Sequence, residues 1–302
     1  MQRLTNGQLF AICVGVWSTT WYAITFQIGH NAPEVGVALR FGLAGAVLLA
    51  MCAVRGLRLR FSAREHALLG LQGAFLYGLS YVCVYHAEQH LVSGLVAVGY
   101  SASPLVSGLG ARWLFGTRLA SRFVLGGLLG LAGVALIFWP EFGRAAERSG
   151  AALGALFTLA SVLLSTVGSL TASRNRANGL PFWPALGFGM IYGAVAAAVV
   201  ALLQGQSQGQ GFALPTAPSW WLSLLYLSLA GSVLTFACFL TLQQRIGPGP
   251  TGSIGVMTPL LALVVSMAFE GFRPGALTFA GAALAVLGNV LMLRPMRRPS
   301  SA

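Results

Sequence analysis

The sequence predicts an all-α integral membrane protein of ten transmembrane helices, built from two inverted five-helix repeats. Three observations predict it. Hydrophobic residues make up 56% of the chain and charged residues 8%, against about 25% charged in a soluble domain, so the chain cannot cover a water-facing surface. Ten apolar runs follow one another, each near the roughly 20 residues a helix needs to cross the hydrocarbon core. A sequence register of 155 residues lays one half of the chain on the other.

The first run falls near 6–27, inside a stretch (4–33) free of Arg and Glu. It is too long for a signal-peptide core and has no clear cleavage site, so it reads as a true span. The others fall near 34–54, 66–86, 92–114, 122–139, 151–172, 182–203, 220–242, 251–270 and 275–293. Arginine placement orients them. All 18 basic residues are Arg and all six acidic residues are Glu. With the N-terminus inside, fourteen Arg fall in inner segments (Arg3; Arg55, Arg58, Arg60, Arg64; Arg112, Arg118, Arg122; Arg174, Arg176; Arg245; Arg294, Arg297, Arg298). Three, Arg144, Arg148 and Arg273, fall in outer ones. That is a positive-inside bias, and an even span count puts both termini in the cytoplasm. The net charge of +12 therefore serves orientation, and no nucleic-acid partner is expected. The four cysteines lie inside apolar runs without CxxC spacing. They read as small buried residues rather than a zinc site or a disulfide framework.

The repeat is visible without gaps. "PLVSGLGARWLFGTRLASRFVLGGLLGLAGVALIFWP" (104–140) lies on "PLLALVVSMAFEGFRPGALTFAGAALAVLGNVLMLRP" (259–295). Pro104 meets Pro259, Gly116 meets Gly271, Arg118 meets Arg273, Gly126 meets Gly281, Gly133 meets Gly288 and Pro140 meets Pro295. Upstream, Cys83 meets Cys238. The units are 1–145 and 146–302. Five spans are an odd number, so the second unit enters from the opposite side. Such inverted repeats are typical of secondary transporters, whose solute site lies between the halves near the midplane.

Three stretches also carry a family resemblance: "VALRFGLAGAVLLAM", "YHAEQHLVSGLVAVGYSASPL" and "LAGSVLTFACFLTLQQRIGPGPTGSIGVMTPLLALVVSMAFEG". In order and spacing, over nearly the whole chain, they resemble the drug/metabolite transporter superfamily in its ten-helix form with two EamA-type repeats. Within it the chain is similar to YddG-type aromatic amino acid exporters of bacteria. The resemblance implies a multi-pass carrier of the bacterial inner membrane. One departure is that the family's Gly-Glu appears as Glu270-Gly271, and the first repeat has Phe115-Gly116 in its place.

Candidate solute-contacting residues follow from mid-membrane polarity. Tyr77, Tyr81 and Tyr85 are spaced i, i+4, i+8 on one helix face, and deep tyrosine hydroxyls need partners. Trp17 lies mid-span and shares a face with Trp21; "VGVWSTTWYAI" resembles the family's first-helix signature. Tyr100 and Ser101 precede Pro104, and Ser253 and Thr258 precede Pro259; both prolines are expected to kink their helices and free backbone groups. Arg40 is the basic residue inside a span, a functional hypothesis by default. It suits a carboxylate clamp; snorkelling outward or pairing with a Glu is the rival, and the family often has Arg there across many substrates. His86 is a candidate for the outer vestibule, whereas Glu88 and His90 are read as solvated. Glu270 is the deepest coupling candidate, with Arg273 as a possible pairing partner.

The leading function is export of aromatic and other neutral amino acids and related small metabolites, by alternating access through a central aromatic-lined cavity. A carrier of another solute class (a drug or nucleotide-type metabolite) and a non-transporting scaffold or receptor are the alternatives. No Asp and no HExxH are present, which argues against an intramembrane enzyme. No cofactor or metal is expected, and a monomer in the bilayer is the favoured state.

Overall fold

The computed structural model describes residues 4–116, 119–144, 150–208, 214–246, 251 and 254–293. Among them ten helices form: α1 (Asn6–Thr25), α2 (Pro33–Val54), α3 (63–88), α4 (93–115), α5 (Ser121–Arg144), α6 (Ala151–Ala177), α7 (Phe182–Gln208), α8 (218–246), α9 (Ile254–Phe269) and α10 (Ala276–Leu293). Six of them (α2, α3, α4, α6, α7 and α8) are long and apolar enough to cross a membrane, and α5, α9 and α10 contain shorter apolar stretches. At about 1.5 Å per residue, the 20 residues of α1 span about 30 Å, the hydrocarbon thickness.

Local chemistry sets the helix ends. Thr5 caps α1 in a capping box with Gln8, and Ser62 caps α3 with Glu65; each satisfies amide donors that no helical carbonyl can reach. Pro33 and Pro218 stand in the first turns of α2 and α8, where a missing N–H costs nothing. Gly116 ends α4 and Gly271 follows α9, both at φ +66°, a left-handed backbone that residues with a Cβ avoid.

Three helices depart from α geometry. A π-helical stretch interrupts α3 at Ala74–Leu79 and α8 at Tyr226–Leu234. A 3-10 turn interrupts α4 at Tyr100–Ala102, directly before Pro104. Helix α9 runs through Pro259. Pro259 has no N–H, so the Gly255 carbonyl lacks its helical donor.

Packing relies on small residues, as membrane helices require when lipid supplies no hydrophobic drive between them. Helices α5 and α10 pack along their length. A Cβ on Gly126 would lie 2.5 Å from the Gly288 carbonyl oxygen, and one on Gly133 2.5 Å from that of Gly281. The pairs α2 with α7 and α4 with α9 also meet, as do α1 with α8 and α9, and α6 with α3 and α4. The principal core runs between α2, α3, α4 and α7 around Phe41, Leu48, Tyr77, Tyr85 and Met190.

Candidate functional site

A cavity of about 210 Å³ lies at the centre of this arrangement. That is below the roughly 300–1,000 Å³ of pockets for drug-sized ligands, so it suits a small solute. Helix α1 contributes Trp17, Thr20, Trp21 and Ile24; α2 gives Arg40; α3 gives Tyr81; α4 gives Ala97, Tyr100 and Ser103; α8 gives Phe236; α9 gives Gly255, Thr258 and Pro259. Of the sequence-derived candidates, the cavity brings together Trp17, Arg40, Tyr81, Tyr100, Thr258 and Pro259.

The walls are aromatic and cross-braced. Trp17 meets Phe236 edge-on at 5.4 Å, and Trp21 meets Tyr100 at 5.2 Å. The Trp17 indole Nε1 donates to the Gly231 carbonyl at 3.1 Å. That carbonyl lies within the π-helical stretch of α8, where regular pairing is loosened. The Tyr100 hydroxyl bonds the Ser161 hydroxyl.

Two polar side chains in the walls carry buried atoms without a hydrogen-bond partner. Arg40 is 2% exposed, yet its Nε and Nη1 make no hydrogen bond. Its guanidinium lies 4.8 Å over the Tyr81 ring and 5.0 Å over the Phe41 ring. Stacking of this kind contributes about 2 kcal/mol when desolvated, less than the several kcal/mol of burying an ion. The Thr258 hydroxyl is also buried without a partner, while its carbonyl accepts from Ser18 Oγ at 3.1 Å. Arg40 does not snorkel, and among the described residues it forms no ion pair with a Glu, contrary to the rival expectation. Glu88 is within electrostatic reach of it but not hydrogen-bonded.

Several candidates sit elsewhere. Tyr85 is 1% exposed and donates to Gln27 Oε1 at 2.9 Å; it is a core residue one turn beyond the cavity, and not an interface tyrosine. Tyr77 packs at 5.4 Å from Phe41 and lines a second cavity, because the π-helical stretch around it shifts it off the Tyr81 face. Ser101 turns toward Ala282 and Asn289 of α10, since the 3-10 turn rotates it away from Tyr100. His86 is held on both nitrogens, by Glu34 Oε1 at 2.7 Å and Gln89 Oε1 at 3.1 Å, and its ring stacks on Phe157. Ser253 lies outside the described residues. Pro104 is exposed beside the 3-10 turn.

The glutamates differ most from the sequence reading. Glu88, read as solvated, is 7% exposed, and neither carboxylate oxygen has a partner. Glu270 does not pair with Arg273. It accepts from Ser93 N at 3.1 Å, Ser93 Oγ at 2.6 Å and the Ser266 hydroxyl. A carboxylate at the start of α4 is favoured by the helix dipole, so Glu270 ties the end of α9 to the start of α4.

The EamA-like transporter family matches residues 5–139 and again 152–294. A relative described as an uncharacterized inner membrane transporter, YedA of Escherichia coli K12, is 27% identical over 269 residues, 88% of this chain and 82% of that one. An uncharacterized transporter of Bacillus subtilis, YyaM, is 24% identical over 96% of this chain and 93% of its own. A solved crystal structure superposes with a TM-score of 0.65 at 22% identity, covering 95% of this chain and 96% of that one, which is a likeness of fold.

Proposed function

The chain belongs to the EamA-like transporter family, in the drug/metabolite transporter superfamily, and from that premise we propose that this multi-pass membrane transporter exports aromatic and other neutral amino acids and related small metabolites across a bacterial inner membrane. The observation that carries the reading is the central cavity, in which aromatic walls surround two polar side chains with unpartnered buried atoms. Trp17, Trp21, Tyr81 and Tyr100 suit a large apolar side chain. The Arg40 guanidinium, whose Nε and Nη1 are enclosed and unpartnered, suits a carboxylate that it can hold at two points once a shift of the wall uncovers it, and the enclosed Thr258 hydroxyl suits a second polar group of the same solute. An unpaired buried charge is costly, and an anionic group in the cavity removes that cost.

Transport by alternating access asks for two related halves. We assign them to 1–145 and 146–302 as inverted repeats. Supporting this, helices five apart meet (α2 with α7, α4 with α9, α5 with α10), and the pairing of α1 with α8 and α9 recurs as α6 with α3 and α4. The π-helical stretches end at Leu79 and Leu234, which are 155 residues apart. We assign both termini to the cytoplasm, a reading the arginine distribution supports. The 3-10 turn before Pro104 and the interior Pro259 are the bends that let α4 and α9 curve round the cavity. Glu270, beside buried Glu88, is the candidate for proton coupling, tested by whether Glu270→Gln abolishes a flux response to a pH gradient.

Alanine at Trp17 or Tyr81 tests the site. Folding and insertion are expected to persist while flux falls at least tenfold; unchanged flux in both variants refutes the assignment of the cavity.

A further inference from the structure

A second cavity, of about 200 Å³, lies between α3, α6, α7 and α8, toward the face that carries the start of α1. Phe236 lines both cavities, and among the described residues no other does. Its ring meets Trp17 edge-on at 5.4 Å and Tyr77 at 6.3 Å, so it fills the gap between them.

The polar groups of the second cavity are deliberate in placement. Asn175 is 1% exposed; its Nδ2 donates to Gln72 Oε1 at 2.9 Å and to the Leu68 carbonyl at 3.3 Å, and its Oδ1 has no partner. A buried acceptor left open is costly unless something fills it. Arg176, exposed at the rim, stacks over Phe182 at 5.3 Å. The 155-residue register lays Thr20 and Trp21 of the central cavity on Asn175 and Arg176, and Tyr81 on Phe236. The second cavity is therefore built from the same helix face as the first, taken from the other half. Phe236 also stands two residues beyond the π-helical stretch of α8, where loosened pairing lets a helix shift.

We propose that this cavity is a second solute subsite on the transport path, taking a zwitterionic amino acid with a large apolar side chain, and that Phe236 is the gate between the two subsites. The inference rests on the transport reading above. A shift that uncovers the enclosed Asn175 Oδ1 lets it accept from the ammonium group, the Arg176 guanidinium takes the carboxylate at the rim, and the rings of Phe182, Phe236 and Phe239 enclose the side chain.

Equilibrium dialysis of labelled L-phenylalanine against the purified full-length protein tests the subsite. Two equivalents per chain are expected, falling to one in the double variant Asn175→Ala, Arg176→Gln and to one in Arg40→Gln. A single equivalent lost in Arg40→Gln but untouched by the double variant overturns the second subsite and leaves the central site standing. A single equivalent lost only in the double variant supports the subsite and overturns the central reading. No bound phenylalanine overturns both. The gate has a readout that needs no substrate. In a chain with Cys13, Cys52, Cys83 and Cys238 replaced by Ala, Thr258→Cys is exposed to a charged thiol reagent added from the face that carries the start of α1. Phe236→Ala, and to a lesser degree Phe236→Leu, is expected to raise the modification rate at least tenfold in protein that stays monodisperse; equal rates in monodisperse protein overturn the gate.

Discussion

Replacing Arg40 with Gln separates a solute-binding arginine from a structural one. In the first case the guanidinium waits for an anion. Hydrogen bonds to a charged group contribute about 1.5–3 kcal/mol each, and each ~1.4 kcal/mol is tenfold in affinity. Losing one such interaction weakens phenylalanine binding about tenfold to about a hundredfold. The same substitution removes a buried charge whose Nε and Nη1 have no partner, so the thermal midpoint is expected to hold or rise. In the structural case, Arg40 braces the wall by stacking on Phe41 and Tyr81, and its removal costs the roughly 2 kcal/mol of desolvated stacking with affinity intact. Calorimetric binding and thermal unfolding on the same preparation decide between them. Phenylalanine amide, which has no carboxylate, supplies a cross-check. At the central site it should bind the wild type as weakly as phenylalanine binds Arg40→Gln there, and should lose nothing further in the variant. Unchanged phenylalanine affinity in Arg40→Gln together with a large fall in midpoint refutes the reasoning.

The remaining predictions concern packing and polar contacts. Gly133→Ala drives a Cβ to 2.5 Å from the Gly281 carbonyl oxygen and is expected to destabilise by about 1–3 kcal/mol; Gly130→Ala, whose Cβ meets nothing within 4 Å, should be neutral or stabilising in the same unfolding measurement. Glu270→Ala leaves the Ser93 amide and hydroxyl without their acceptor and should lower stability by about 0.5–2 kcal/mol, the range for a lost helix cap. Arg273→Ala should change nothing measurable, and an equal drop there would restore the Arg273–Glu270 pair. Trp17→Phe keeps the ring but loses the donor to Gly231; about 1 kcal/mol of stability should go, with far less loss of flux than in Trp17→Ala.

The helices were legible because membrane burial imposes long apolar runs, and a span near 6–27 against the observed Asn6–Thr25 differs only at its fraying end. Trp17, Arg40, Tyr81, Tyr100 and Thr258 were legible as polar or aromatic residues deep in spans, where each needs a partner or a purpose. Tyr77 was not placed correctly, because i, i+4 spacing assumes an unbroken α-helix; Ser101 was turned aside by the tight turn it sits in, and Tyr85, in the same regular helical segment as Tyr81, lies one turn past the end of the cavity. The π-helical stretch at Ala74–Leu79 and the 3-10 turn at Tyr100–Ala102 change the angle per residue, and no residue type in either stretch announces it. Glu88 was misread because a carboxylate at a helix end is usually solvated, whereas here the chain closes over it. Phe236 was missed although a signal existed: it is the residue 155 positions beyond Tyr81, and laying the candidates of one half on the other would have found it.

The most direct test of the account is uptake into proteoliposomes holding only this protein, with labelled phenylalanine and a labelled sugar nucleotide side by side. The account predicts phenylalanine uptake well above empty liposomes, reduced at least tenfold by Tyr81→Ala, and no sugar-nucleotide uptake. Sugar-nucleotide flux without phenylalanine flux would contradict the reading of the cavity as an amino acid site.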